Sequence, residues 1–150
     1  MRSSSTICCD ANLIIDWAIE DGNVNASAAL VERWLSSGVE LIAPSLIHFE
    51  ITNVLFRHVR TGRMPHDRIR FGLDSALALP IAVVDDDDLH LQAFDIGRRF
   101  NLSAAYDAHY LALAEREGVE FWTTDRRLYN TVRHRLSWVR HVDSEAPSNL

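Results

Sequence analysis

The chain has 150 residues, 47% of them hydrophobic, and a formal net charge of −6. That suits one domain with one core, and no stretch reaches the ~18 consecutive apolar residues of a membrane-spanning helix. All 15 basic residues are arginines, which excludes a Walker-type phosphate loop, a Schiff-base enzyme and a lysine-assisted phosphoacceptor site. The acidic total argues against a plain nucleic-acid-binding module, because counterion release favours basic proteins in that role.

Met1 to Thr6 is polar and lacks the apolar region of a signal peptide, so a cytoplasmic protein is expected. A strand is predicted over 6–10. Its adjacent Cys8 and Cys9 face opposite sides of the strand and are expected to be reduced core thiols. A helix over 12–19 follows, then a break at Asp21-Gly22-Asn23, a helix over 26–35 ended by Ser36-Ser37-Gly38, and a strand over 39–43. Pro44-Ser45 starts a helix running to residue 60, with Gly62 suited to the position after its end. Pro65 opens a second helical arm over 66–79, and a strand over 81–84 comes next.

Asp85 to Asp88 reads as the acidic N-terminus of a helix ending near residue 100, rather than as a cation site. Ser103 is expected to cap a helix running to residue 117, which Gly118 ends. A strand over 119–123, a helix over 125–132 and a strand over 136–142 complete a single domain, 1–142, with a polar, flexible tail at 143–150. Strands alternating with helices imply an α/β fold whose parallel sheet is covered on both faces.

In such folds ligands collect beyond the carboxyl ends of the strands. Asp10 ends the first predicted strand, Asp125 follows the fourth, and Glu50 sits near the start of the helix leaving the second. Glu50 shares its helical face with Leu46, Ile47, Ile51 and Val54, and Asp107 shares its face with Ala104, Ala108 and Leu111. Carboxylates in apolar stripes are costly unless compensated, and two unit charges at 4 Å repel by about 4 kcal/mol at an effective dielectric of 20. Converging hard oxygen ligands favour Mg²⁺ or Mn²⁺, and such ions suit phosphodiester hydrolysis. Taken singly, Asp125 also fits a simple helix cap.

The residues then become recognisable. Cys8-Cys9-Asp10-Ala11-Asn12, the segment from Ser45 to Leu55 around Glu50 and Asn53, Tyr106-Asp107-Ala108-His109-Tyr110-Leu111, and Thr123-Thr124-Asp125-Arg126-Arg127-Leu128 resemble, in order, the four motifs of the PIN-domain nucleases. The resemblance implies a three-layer α/β/α domain around a mostly parallel sheet and a Mg²⁺- or Mn²⁺-dependent endoribonuclease. A domain of this length is most similar to VapC-type toxins, which implies a VapB-type antitoxin partner and a homodimer. Asp10, Glu50, Asp107 and Asp125 match the family's metal-holding and water-activating positions. Thr123 matches a supporting hydroxyl, and Asn12 and Asn53 match secondary polar positions. The implied reaction is in-line attack of an activated water on phosphorus, leaving a 5′-phosphate and a 3′-hydroxyl.

Arg126 and Arg127 are candidates to grip RNA phosphate, with ordinary surface arginines as the alternative; Arg57, Arg60 and Arg63 have less support. The seven histidines show no shared metal spacing, and His48 and His109 lie off the helical faces of their acidic neighbours. Three rival readings stand beside the toxin. A haloacid-dehalogenase phosphatase wants an Asp where Asn12 stands, and a receiver domain wants a lysine. A catalytically silent PIN-like scaffold that binds RNA or a partner protein would be favoured by a missing carboxylate, and none is missing. An RNA-processing nuclease with no toxin role keeps the chemistry and changes the biology.

Overall fold

The computed structural model describes residues 5–20 and 25–145. The predicted break at Asp21-Gly22-Asn23 and the last five residues of the predicted tail lie outside them. The chain runs β1 (Thr6–Cys9), α1 (Ala11–Ala18), α2 (Ala26–Ser36), β2 (Glu40–Pro44), α3 (Leu46–Arg60), α4 (His66–Leu77) and β3 (Ile81–Val84). It continues through α5 (Asp87–Arg99), α6 (Tyr106–Glu117), β4 (Glu120–Thr123), α7 (Arg126–Val132) and β5 (Val139–His141) to a 3-10 turn at Val142–Glu145.

All the strand pairings are parallel, in the order β3-β2-β1-β4-β5. From β1 the sheet grows one way through β2 to β3; the chain then crosses back to add β4 and β5 on the other side of β1. Right-handed crossovers running in opposite directions lie on opposite faces. Accordingly α1 packs with α2, α3 and α4, whereas α5 and α6 pack with each other. The sheet is sandwiched, and β1 at its centre is buried from Ile7 to Cys9.

Both cysteines are free and fully buried, as expected of core thiols, and burial pushes the Cys9 thiol up to about 12. Gly118 closes α6 at φ 66°, the left-handed position that a Cβ disfavours. Gly72 has a different reason to be glycine: a Cβ there would lie 2.8 Å from the Ala18 carbonyl oxygen, where α4 crosses the end of α1. Backbone cannot yield as a side-chain tip does. Gly72→Ala is therefore expected to cost about 1–3 kcal/mol in urea denaturation, against the gain normal for Gly→Ala in a helix.

Most predicted boundaries move by one or two residues, the helix predicted over 66–79 ending at Leu77, and two shifts have a clear cause. Ser103 does not cap α6, which begins at Tyr106 behind Ala105 and has no side-chain cap. The intervening residues close α5 instead: Asn101 takes φ 51° and the Leu102 N–H returns to the Gly97 carbonyl. The last strand is shorter than predicted, because the Leu136 N–H bonds to the Val132 carbonyl in the turn leaving α7. Asp86 caps α5, accepting from the Leu89 N–H at 2.8 Å, and holds Arg116 of α6 through two 3.1 Å contacts. That pairing keeps the Asp86 carboxyl below its ordinary range and accounts for the acidic run as a helix start.

Candidate active site

The strand order reverses between β1 and β4, and the crevice beyond their carboxyl ends is the topological switch point of the sheet. Asp10 and Asp125 leave the sheet on its two sides. The Asp10 N–H bonds to the Trp122 carbonyl of β4 at 3.0 Å, extending the ladder by one bond before α1 begins. Its Oδ1 then caps α1, accepting from the Asn12 N–H at 3.2 Å. The Thr123 hydroxyl, fully buried, donates to Asp10 Oδ2 at 2.8 Å and accepts from the Asp125 N–H at 2.9 Å. One hydroxyl thus clamps both loops. Asp125 is indeed a cap, accepting from the Leu128 N–H at 3.0 Å through Oδ1.

Glu50 and Asp107 enter from helices. Ile47 and Ile51 are fully buried, so Glu50, on their side of α3, is drawn partly inward. Its Oε1 accepts from the Tyr110 hydroxyl at 2.6 Å, a bond joining α3 to α6. Asp107 stands in the first turn of α6, where the helix dipole favours a negative charge. Tyr110 follows three residues later, on the same face.

The four carboxyls feel one another. Burial raises the Asp107 carboxyl to about 6, with further repulsion from Asp10 and Asp125. Burial likewise lifts Glu50 to about 7; the Tyr110 hydroxyl opposes this, and Asp10 and Asp107 add to it. Asp10 is raised mainly by burial, against the hydrogen bonds from Thr123 and Asn12. Among the described residues, ion-paired arginines go elsewhere: Arg99 to Glu115, Arg116 to Asp86, Arg126 to Asp143 and Arg140 to Glu120.

No three His, Cys, Asp or Glu side chains among the described residues are already gathered in a metal-holding arrangement. Coulombic coupling acts over longer range than coordination, and Asp10, Glu50 and Asp125 are each held by their own hydrogen bond. The carboxyls share a field rather than a single ligation point. The donor set, all carboxylate oxygen and without a paired cation, suits Mg²⁺ or Mn²⁺ in chemistry.

Of the secondary positions, Thr123 joins the site directly. Asn12 is exposed and contributes its backbone N–H, and Asn53 is exposed on α3 beside Phe49 and Phe56. Arg126 is occupied by Asp143 at 2.8 Å, and Arg127 is exposed with no ion-pair partner among the described residues.

Two supporting residues escaped the sequence reading. Tyr110 was legible only as an apolar-face aromatic three residues after Asp107. His141, buried in β5, accepts the Asp143 N–H at Nδ1 (3.1 Å), so its Nε2 donates to the Thr124 carbonyl at 3.1 Å, pinning the loop before Asp125. The alternation of β5 marks that position as inward-facing but not its partner.

Residues 7–133 match the family model described as PIN domain. The chain is 30% identical over 99 residues, 65% of its own length and 75% of the relative's, to Ribonuclease VapC3 of Pyrobaculum aerophilum. Its fold is similar to the crystal structure of PAE2754 from Pyrobaculum aerophilum, with a TM-score of 0.68 at 21% identity over 95% of this chain and 94% of that one. It is also similar to a toxin–antitoxin complex from Klebsiella pneumoniae, with a TM-score of 0.60 at 16% identity over 93% of this chain and 98% of that one. The two structural likenesses speak to the fold alone, and they agree with an α/β/α sandwich.

Proposed function

The chain belongs to the PIN-domain family, and from that premise we propose that it is a Mg²⁺- or Mn²⁺-dependent endoribonuclease, the toxin of a VapBC-type pair. One observation carries the reading: four carboxyls far apart in sequence surround the switch-point crevice without a cationic partner among the described residues, and burial and repulsion raise Asp10, Glu50 and Asp107. Asp10, Asp107 and Asp125 would hold the metal, with Glu50 binding directly or through water. A bound divalent ion supplies charge to a phosphate oxygen and makes water a better nucleophile. The chain's own part is to orient: Thr123 fixes Asp10 against the Asp125 loop, and Tyr110 fixes Glu50. The silent-scaffold alternative gains nothing from this arrangement, since every acidic position is filled.

Tyr110→Phe keeps the ring that packs 5.6 Å from Phe121 and deletes only the donor to Glu50. Cleavage is expected to fall about 10–100-fold with a nearly unchanged melting temperature, as for loss of a supporting partner behind a metal ligand.

The antitoxin has a suitable surface on the α3–α4 arms. Phe49, Phe56 and Phe71 are 61–76% exposed there, and an apolar groove of about 260 Å³ runs between Leu55, Phe56, Ile69 and Leu73. A homodimer is expected to use α5, where Leu91 and Phe94 present one exposed apolar face. No helix among the described residues is long and apolar enough to cross a membrane; with RNA as substrate, action in the cytoplasm is the reading we adopt.

The test is cleavage of an end-labelled total RNA pool by partner-free protein with Mg²⁺, with Mn²⁺ and with EDTA. Discrete metal-dependent cuts support the proposal, and no cutting by the folded, metal-supplied protein counts against it. A small reading frame immediately upstream, whose product blocks cleavage, would separate the toxin from an RNA-processing nuclease.

A further inference from the structure

A small pocket lies at the same end of the sheet as the acidic rim. It opens where β2 and β3 end at Pro44 and Val84, encloses about 180 Å³, and is walled mainly by apolar atoms. Tyr106, 68% exposed, lines it and immediately precedes Asp107 in the chain. Ser45 lines it too, and makes no side-chain cap for α3.

The polar side of the pocket is a hydrogen-bonded chain. His109 Nδ1 lies 2.7 Å from the Ala105 carbonyl, its Nε2 2.9 Å from His90 Nδ1, and His90 Nε2 3.1 Å from Asp85 Oδ1. A carbonyl and a carboxylate only accept, so His109 donates through Nδ1 and His90 through Nε2, and one further proton joins His90 Nδ1 to His109 Nε2. The two rings meet edge to face at 5.0 Å. The His90 and Asp85 side chains are 59% and 61% exposed. Holding exposed side chains in one orientation costs rotamer entropy and gains little from core packing. Asp85 Oδ2 has no hydrogen-bond partner among the described residues.

We propose that this pocket is a nucleobase subsite, which receives the base of a nucleotide flanking the scissile phosphate. The inference rests on the ribonuclease reading for its substrate class. Single-stranded RNA is read by splayed bases that stack on aromatic rings and hydrogen-bond along their edges. Tyr106 offers the ring, Asp85 and Ser45 read the edge, and His90, braced by His109, holds Asp85 in place. The volume fits one base and excludes a duplex. A carboxylate at the pocket repels phosphate, so the occupant is the base and not the backbone. A free carboxylate oxygen beside a hydroxyl selects an edge that presents adjacent donors. Guanine does so with its imino and amino groups, whereas uracil offers a single imino proton between carbonyls. Tyr106 and Asp107 are neighbours at the start of α6, about 3.8 Å apart at Cα, so a base against Tyr106 would lie within a nucleotide's reach of the acidic centre.

The experiment has two arms. In the first, wild type, Asp85→Asn and Tyr106→Ala cleave a randomised single-stranded RNA, and the new ends are sequenced. Wild type is expected to favour guanine over uracil about tenfold at one position flanking the cut, and Asp85→Asn to erase that preference. Tyr106→Ala is expected to lower kcat/KM about tenfold through lost stacking. Both side chains are exposed, and circular dichroism checks that the variants fold. In the second arm, guanosine monophosphate and uridine monophosphate are titrated into metal-free wild type while the His90 and His109 ring resonances are followed; only the guanine nucleotide should move them. Cleavage with no base preference, or with a preference that both variants retain, overturns the subsite and leaves the ribonuclease standing. If no RNA is cut, selective movement of the two histidines supports the subsite while the ribonuclease reading fails, and its absence overturns the subsite as well.

Discussion

Asp10→Asn is expected to reduce RNA cleavage by about 10³-fold or more while the chain melts no lower than wild type in metal-free buffer. Both halves follow from the geometry. An amide keeps the shape of the carboxyl and can still accept from the Asn12 N–H, so the start of α1 is preserved. Its amino group meets the Thr123 hydroxyl, which has a lone pair to receive it beyond the one taken by the Asp125 N–H. What disappears is a buried charge that repels Asp107 and Asp125.

Removing that repulsion favours the folded state, so the melting temperature holds or rises, as at a site that trades stability for function. Asp107→Asn should behave alike, since Asp107 also sits in the field of Asp10 and Asp125. Cleavage assays and calorimetry on the same preparations decide it. Full activity in either variant sinks the assignment of these carboxyls. A large drop in melting temperature would make Asp10 a structural cap and nothing more.

The sheet and the four acidic positions were legible because both signals are local. Alternation of strand and helix patterns needs no knowledge of contacts, and a carboxylate among Ile47, Ile51 and Val54 is conspicuous on its own helix. The crossing that puts Asp10 and Asp125 on either side of the switch point follows from connection handedness, which applies to any such chain. What stayed hidden is relational. Nothing around Tyr110 reveals that its hydroxyl reaches Glu50, sixty positions away in sequence, and His141 takes its meaning from Thr124 across a strand pair.

The same limit explains the arginines and Ser103. Adjacency to Asp125 suggested that Arg126 faces the substrate, but its guanidinium turns to Asp143 of the following turn. Ser103 has a capping side chain, but Asn101 is already closing α5 there, so α6 starts later. His90 and His109 carry no spacing signal because they sit on different helices, and only the packing of α5 on α6 joins them.

Divalent metal should stabilise the protein more as the pH rises, and its removal by EDTA should abolish cleavage. Folding raises Glu50 from 4.5 to about 7 and Asp107 from 3.8 to about 6. Between those values the folded state binds more protons than the unfolded one, so unfolding free energy falls with increasing pH. The stability is fully present below about pH 4 and is lost as pH passes through 6 and 7. Both groups are half-buried, so solvent screening limits the effect; a fall of about 3 °C in melting temperature between pH 5 and pH 8 is expected without metal.

A cation that binds the ionised carboxyls reverses the trend, because it must displace protons at pH 5 and need not at pH 8. At a free concentration a hundred times its dissociation constant, a ligand that binds only the folded state adds about 2.7 kcal/mol. The Mg²⁺-induced rise in melting temperature should therefore be larger at pH 8. Glu50→Gln isolates the linkage, since it removes one titrating carboxyl and should flatten the metal-free pH profile. A melting temperature that responds to Mg²⁺ equally at both pH values, or a profile that Glu50→Gln leaves unchanged, would mean that these carboxyls do not hold the metal.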